Sequence, residues 1–188
     1  MLNEWFGDYE PFDLKIKDVS VSYERLPEVK RWLSGQSELI THNNVNVYVN
    51  AVCNINNEVE YVNEWGTFYS FEITFRCEPL KRKVNEPFIN LNKGENTVIN
   101  HGDEVSQPLI EIHSNGGDIE INCGKNTLTI LDTNAGLLSL DNEMAVCTQD
   151  GRIQRTKGSW IKMLPGKNKI MVTGNIASIR MKIRSVFF

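Results

Sequence analysis

Three histidines, four cysteines and a short run of glutamates are the residues of this chain best suited to chemistry. His42 lies in a loop beside Asn43 and Asn44, His101 precedes Gly102-Asp103, and His113 ends a strand just before Asn115-Gly116. None stands at metal-ligand spacing from another. His101 and Asp103 could share an acid–base site, but no nucleophile motif accompanies them. Cys53, Cys77, Cys123 and Cys147 are far apart and form no C-x-x-C pair, so buried, reduced thiols are expected rather than a disulfide or a zinc site. Glu58, Glu60 and Glu64 suggest paired carboxylates. Alternation places Glu58, Glu60 and Asn63 on the outer face of a hairpin, where they are solvated, whereas glycosidase chemistry needs two carboxyls facing across a cleft. No glycine cluster forms a phosphate loop. Trp65 or Trp160, if exposed, could stack on a sugar. Arg180, Lys182 and Arg184 form a basic stripe that could meet phosphates, but no aromatic is interleaved with them and the whole chain is acidic, so nucleic acid is not expected as a partner. The residues therefore predict no catalytic, cofactor or metal site, and no enzyme.

The chain has 188 residues, a 40% hydrophobic fraction and a formal net charge of -4. That is enough for two small domains with proper cores. The charge is unevenly spread. Glu4, Asp8, Glu10, Asp13 and Asp18 open an acidic first part, and after Asp150 no acidic residue follows, while basic ones run from Arg152 to Arg184. Such polarity suits head-to-tail contact between copies or contact with a differently charged partner. Met1-Leu2-Asn3-Glu4-Trp5 does not read as a secretory signal, and no apolar run approaches the roughly 20 residues of a membrane span, so no membrane partner is expected.

The elements that would position these residues are mostly strands. Leu14–Val21 alternates like one. A helix is expected from Pro27 to Ser34, with Pro27 in its first turn, Gly35 ending it, and Val29, Trp32 and Leu33 forming its apolar face. Burial of that face would make Trp32→Ala cost about 3–5 kcal/mol. Val45–Cys53, Val59–Val62 and Thr67–Cys77 read as further strands. From Glu78 the pattern dissolves into a polar, turn-rich passage with possible edge strands near Phe88–Leu91 and Thr97–Ile99. Beyond it, Ser114-Asn115-Gly116-Gly117 reads as a hairpin turn between two strands, and Asp132–Gly136 as another turn. Ile179, Met181 and Ile183 alternate with Arg180, Lys182 and Arg184, a strand with one face in a core. About eight short strands in the last 80 or so residues indicate a sandwich of the jelly-roll kind. No internal repeat is visible. The expected fold class is mainly β. A β-sheet lobe with one short helix spans 1–83, a linker 84–107, and a β-sandwich 108–188.

The order of these features resembles a known family. The strand, the helix Leu26–Gly35, the segment Val47-Tyr48-Val49-Asn50-Ala51-Val52 and the long strand ending Phe75-Arg76-Cys77-Glu78-Pro79 are similar to the N-terminal domain of phage distal tail (Dit) proteins. Ser106–Ile112, Thr129–Thr133 and Leu164-Pro165-Gly166-Lys167-Asn168-Lys169-Ile170 are similar to that family's C-terminal galectin-like sandwich. The resemblance spans nearly the whole chain and rests on the order of motifs that are each only moderately specific. Members of that family usually carry several dozen more residues ahead of the segment that matches Leu14. The resemblance implies a virion structural protein of a phage or prophage tail, present in the host cytoplasm during assembly and then at the tail tip. It implies a hexameric ring of the protein with itself, joining the tail-tube protein to the tail-associated lysin or fibre and to receptor-binding proteins. The implied activity is assembly, with no cofactor. A free-standing carbohydrate-binding β-sandwich module is the alternative, and it predicts an exposed aromatic platform.

Overall fold

The computed structural model describes residues 9–53, 62–64 and 68–188, the middle stretch by its backbone alone. It divides into two compact units, Met1–Lys81 and Arg82–Phe188. Both are built almost wholly of strands.

In the first unit, β1 (Phe12–Ser22) runs through a 3-10 turn (Tyr23–Arg25) into α1 (Leu26–Leu33). β2 (Gly35–Thr41), β3 (Asn44–Cys53), β4 (Val62–Glu64) and β5 (Phe68–Lys83) follow. The sheet order is β1-β5-β3-β2, with β4 also paired to β5. Period-two alternation puts Val49, Ala51 and Cys53 of β3 and Phe71, Ile73, Phe75 and Cys77 of β5 into one buried cluster. β1 changes phase on the way. Leu14 and Ile16 pair with Phe75 and Ile73, the register shifts, and Val19 and Val21 pair with Phe71 and Tyr69. Asp18, at φ 57, is the extra residue that restores the apolar phase.

The helix is where the sequence places it, with Pro in its first turn, but its buried face is not the expected one. Leu26, Val29 and Leu33 pack on the sheet, and Leu33 is buried. Trp32 is 80% exposed. At 100° per residue Leu26, Val29 and Leu33 lie within one narrow arc, and Trp32 falls about 60° outside it. β2 was not anticipated, because Gly35-Gln36-Ser37-Glu38-Leu39 has no apolar alternation. It forms by pairing with β3, Leu39 opposite Val49.

The second unit contains β6 (Ile89–Leu91), β7 (Gly94–Asn100), β8 (Leu109–Cys123), β9 (Asn126–Asp141) and β10 (Val146–Gln149). β11 (Arg152–Ile153), β12 (Thr156–Gly158), β13 (Gly166–Lys182) and β14 (Val186–Phe187) complete it. The segment 84–107 is not a connector. Its strands β6 and β7 both pair with β13, and Leu91 and Val98 enter the second core. The unit boundary lies earlier, near the end of β5.

The two turns expected at Ser114–Gly117 and Asp132–Gly136 are also not turns. β8 and β9 pass straight through them and remain paired to each other on both sides. The apparent eight short strands are largely three long ones, β8, β9 and β13, each bent near its middle. Gly116 (φ 104), Gly117 (φ 90), Asp132 (φ 50), Gly136 (φ 144) and Gly174 (φ 122) supply the backbone conformations of the bends. The core parity flips across two of them. Ile110 and Ile112 give way to Ile119 and Ile121, and Ile170 and Val172 to Ile179 and Met181, all buried in one cluster. Register shifts at the bends, between Gly174 and Ser178 of β13 and between Gly117 and Ile119 of β8, keep the apolar face inward while each strand turns from one layer of the sandwich to the other. In the first layer, β7, β13, β8, β9 and β12 lie side by side. In the second, β6, β13, β8, β9, β10 and β11 do. Ser114 Oγ and Thr133 Oγ1 sit 2.7 Å apart at the bend and satisfy Gly116 N and Gly117 O.

One turn is used twice. The Asn168 side chain accepts from Leu164 N at 3.0 Å and donates to the carbonyls of Leu164 (2.7 Å) and Gly166 (3.0 Å). Asn96 does the same with Asn92 and Gly94. Each Gly-x-Asn turn launches one of the paired strands β13 and β7.

Candidate interaction surfaces

The side chains singled out for chemistry do not converge. His42 is exposed in the turn between β2 and β3, His101 is exposed after β7, and His113 is exposed on β8. The Asp103 carboxylate accepts from the Phe188 amide at 3.3 Å rather than from His101. No group of three His, Cys, Asp or Glu side chains suited to a metal ion occurs among the described residues. All four thiols are free and buried. Burial raises the pKa of Cys53, Cys77 and Cys123, and pushes Cys147 up to about 11. They are therefore protonated at neutral pH and poor as nucleophiles or ligands. Glu58, Glu60, Trp65 and the side chains of Asn63 and Glu64 lie outside what is described. Trp160 is half-buried against the second core and forms no open platform.

Two of the three cations of the basic stripe, Arg180 and Arg184, are paired. Arg180 donates from Nε to Glu111 at 2.6 Å on the neighbouring strand and lies 4.7 Å over the Phe88 ring. Arg184 grips Asp141 with two hydrogen bonds, at 2.7 and 2.9 Å, and reaches Glu143 at 3.3 Å. Arg82 joins the same Glu143 at 3.1 Å. Arg184 and Asp141 are mostly buried, so this bidentate pair is stronger than an open surface pair. It holds the Asp141 carboxyl below its usual pKa, the Arg184 hydrogen bond being the largest cause. Close by in sequence, buried Glu86 accepts from Ser185 N at 2.9 Å and Ser185 Oγ at 2.5 Å. The stripe thus ties the C-terminal strand into its own unit. Sequence reasoning missed this because the acids that neutralise it come from β8, β9 and the turn after β9.

The cations left over lie elsewhere. Arg152, Arg155, Lys157, Lys162 and Lys167 are exposed, and none makes an ion pair among the described residues. Exposed apolar side chains accompany some of them, notably Ile153 at 82%. In the first unit the outer face of α1 and the 3-10 turn before it expose Glu24, Glu28 and Trp32.

The described residues therefore define a mainly β protein of two units, whose second unit is a sandwich of bent strands. No protein-family model and no curated protein sequence matches the chain. Among solved structures it is similar to the crystal structure of the phage SPP1 Dit protein (gp 19.1), described as a paradigm of the hub adsorption apparatus in phages infecting Gram-positive bacteria. The TM-score is 0.71, the match covers 95% of this chain and 80% of that one, and the sequence identity is 14%. The chain has the fold of that hub protein.

Proposed function

We propose that the protein is a distal tail hub component of a phage or prophage, working by assembly rather than catalysis. The observation that carries this reading is the fold match along nearly the whole chain, both units included. It is supported by the scattered histidines, the inert thiols and the surface-exposed apolar residues of both units. In this role the protein forms a ring at the tail tip, hexameric by resemblance, and joins the tail-tube protein to the tail-associated lysin or fibre and receptor-binding proteins. A ring of identical subunits uses one head-to-tail interface repeated around an axis. Co-expression with the tail-tube protein of the same phage or prophage, followed by electron microscopy, tests the reading. Rings stacked coaxially on the end of tubes are expected. Tubes that never carry the protein at an end would refute it.

A further inference from the structure

The strip from Ile153 to Lys157 crosses the open edge of the second unit. It is held rigidly. Gln154 N donates to Cys147 O at 2.8 Å, Leu131 N donates to Arg155 O at 3.0 Å, and Gln154 Nε2 donates to Leu131 O at 2.5 Å. Gln149, just before it, is tied to Asn134 in both directions. Along the strip exposure alternates. Gln154 and Thr156 turn inward, and Ile153, Arg155 and Lys157 turn outward together. The stripe reads apolar, cation, cation, and both cations are unpaired among the described residues.

The outer face of α1 and the turn before it carry the opposite message. Glu28 and Trp32, four residues apart on α1, and Glu24, in the 3-10 turn before it, are exposed on one side. Neither glutamate has an ion pair among the described residues. Read from its other end, this stripe is indole, carboxylate, carboxylate. It matches the edge strip in chemistry and order. Aligned, Trp32 covers Ile153, Glu28 meets Arg155, and Glu24 meets Lys157. Both stripes are exposed in the single chain, so the partner they fit is a second copy.

We infer that the outer face of α1 in one copy docks on the Ile153–Lys157 strip of the next, a head-to-tail contact. This rests on the hub reading and deepens it by naming one copy-to-copy surface. The apolar pair supplies most of the affinity, and the two ion pairs set register and partner choice. Arg25 and Arg31, both exposed, share the helix face and oppose the cationic strip, so Arg25→Ala and Arg31→Ala are each expected to tighten the contact.

The test uses sedimentation velocity of the full chain over a concentration series. Ile153→Asp is expected to weaken self-association about tenfold or more. The double variants Glu24→Lys/Glu28→Lys and Arg155→Glu/Lys157→Glu should each weaken it alone. Mixed together they should recover it, because each mismatched stripe then finds its complement on the other chain. Because the native thiols are buried, Trp32→Cys mixed with Ile153→Cys should give a cross-copy disulfide under mild oxidation. Trp32→Cys mixed with Met144→Cys, another exposed position of the second unit, should not. A wild-type chain that stays monomeric throughout would overturn the inference. So would charge variants that associate like wild type, no recovery on mixing, or equal cross-linking at Met144. Variants that lose this contact yet still sit on tube ends would remove the contact and leave the hub reading standing.

Discussion

Replacing Gly174 by alanine tests the bent-strand sandwich directly. Gly174 has φ +122, a backbone conformation that L side chains rarely adopt. A Cβ there would meet the Asp118 carbonyl oxygen at 2.7 Å and Ile119 Cα at 3.0 Å, both backbone atoms of the neighbouring strand β8. Neither can move without separating β13 from β8 where both strands bend. The conformation alone costs about 1–3 kcal/mol, and forcing the two strands apart adds about 1–3 more. Gly174→Ala should therefore destabilise the second unit by about 2–6 kcal/mol, combining those two ranges. Gly117→Ala is the control. Gly117 has φ +90 at the same bend with nothing within 4 Å of a Cβ, so only the strain of about 1–2 kcal/mol applies. Urea unfolding followed by tryptophan fluorescence measures both, since Trp160 is the one tryptophan of the second unit and packs on its core. Equal midpoints for the two variants would refute the close approach of β13 to β8, and with it the continuous bent strands.

In the first unit, Leu33→Ala should cost about 2–4 kcal/mol, while Trp32→Ala should stay within about 0.5 kcal/mol. Thermal melts separate the two, and a large loss at Trp32 would put the helix on its other face. Arg184 lowers the pKa of Asp141, so the pair's contribution is full above the unfolded carboxyl's value and lost as pH falls through the lower folded one. Arg184→Ala should flatten the acid side of the stability–pH curve, and an unchanged slope would refute the pairing. The raised pKa of Cys147 works the other way, with its contribution full below the unfolded thiol's value and lost as pH rises towards about 11. Thiol titration should find all four cysteines slow in the native protein and fast in denaturant. One that reacts at the free-thiol rate while folded would contradict its burial.

The local patterns that carried true information were those in which one residue type has one physical use. Pro27 fixed the start of the helix, and the alternation of Ile179, Met181 and Ile183 gave a buried strand face, as found. Glycine clusters misled because positive φ serves a hairpin and a bulge equally. What decides between them at Gly116-Gly117 is whether the chain on both sides keeps the same partners, and those partners, Gly136 on β9 and Ile176 on β13, are remote in sequence. The Trp32 assignment failed for a narrower reason. A one-turn triad of apolar residues is wider than the arc that an eight-residue helix can bury, and Leu26, ahead of the expected start, displaced the indole.

Charge shows most plainly why linear polarity is not surface polarity. The run of cations after Asp150 looks like one basic surface, yet the sandwich sorts it into two populations. Arg180 and Arg184 lie on β13 or just beyond it, where acids of β8, β9 and the turn after β9 are within reach, and they hold the unit together. Lys169 is likewise paired, with Glu95 of β7 at 2.9 Å. Arg155 and Lys157 lie on the far edge beside β9, and the β9 residues registered opposite β12, Leu128 to Ile130, offer no carboxylate. A strand therefore gains or lacks a counter-charge according to its neighbours in the sheet. The cations that remain without one mark where a surface from outside the unit can supply it. That sorting turns a diffuse basic tail into a short, rigid, addressable strip, and it is why the proposed contact is placed at Arg155 and Lys157 rather than at the more conspicuous arginines of β13.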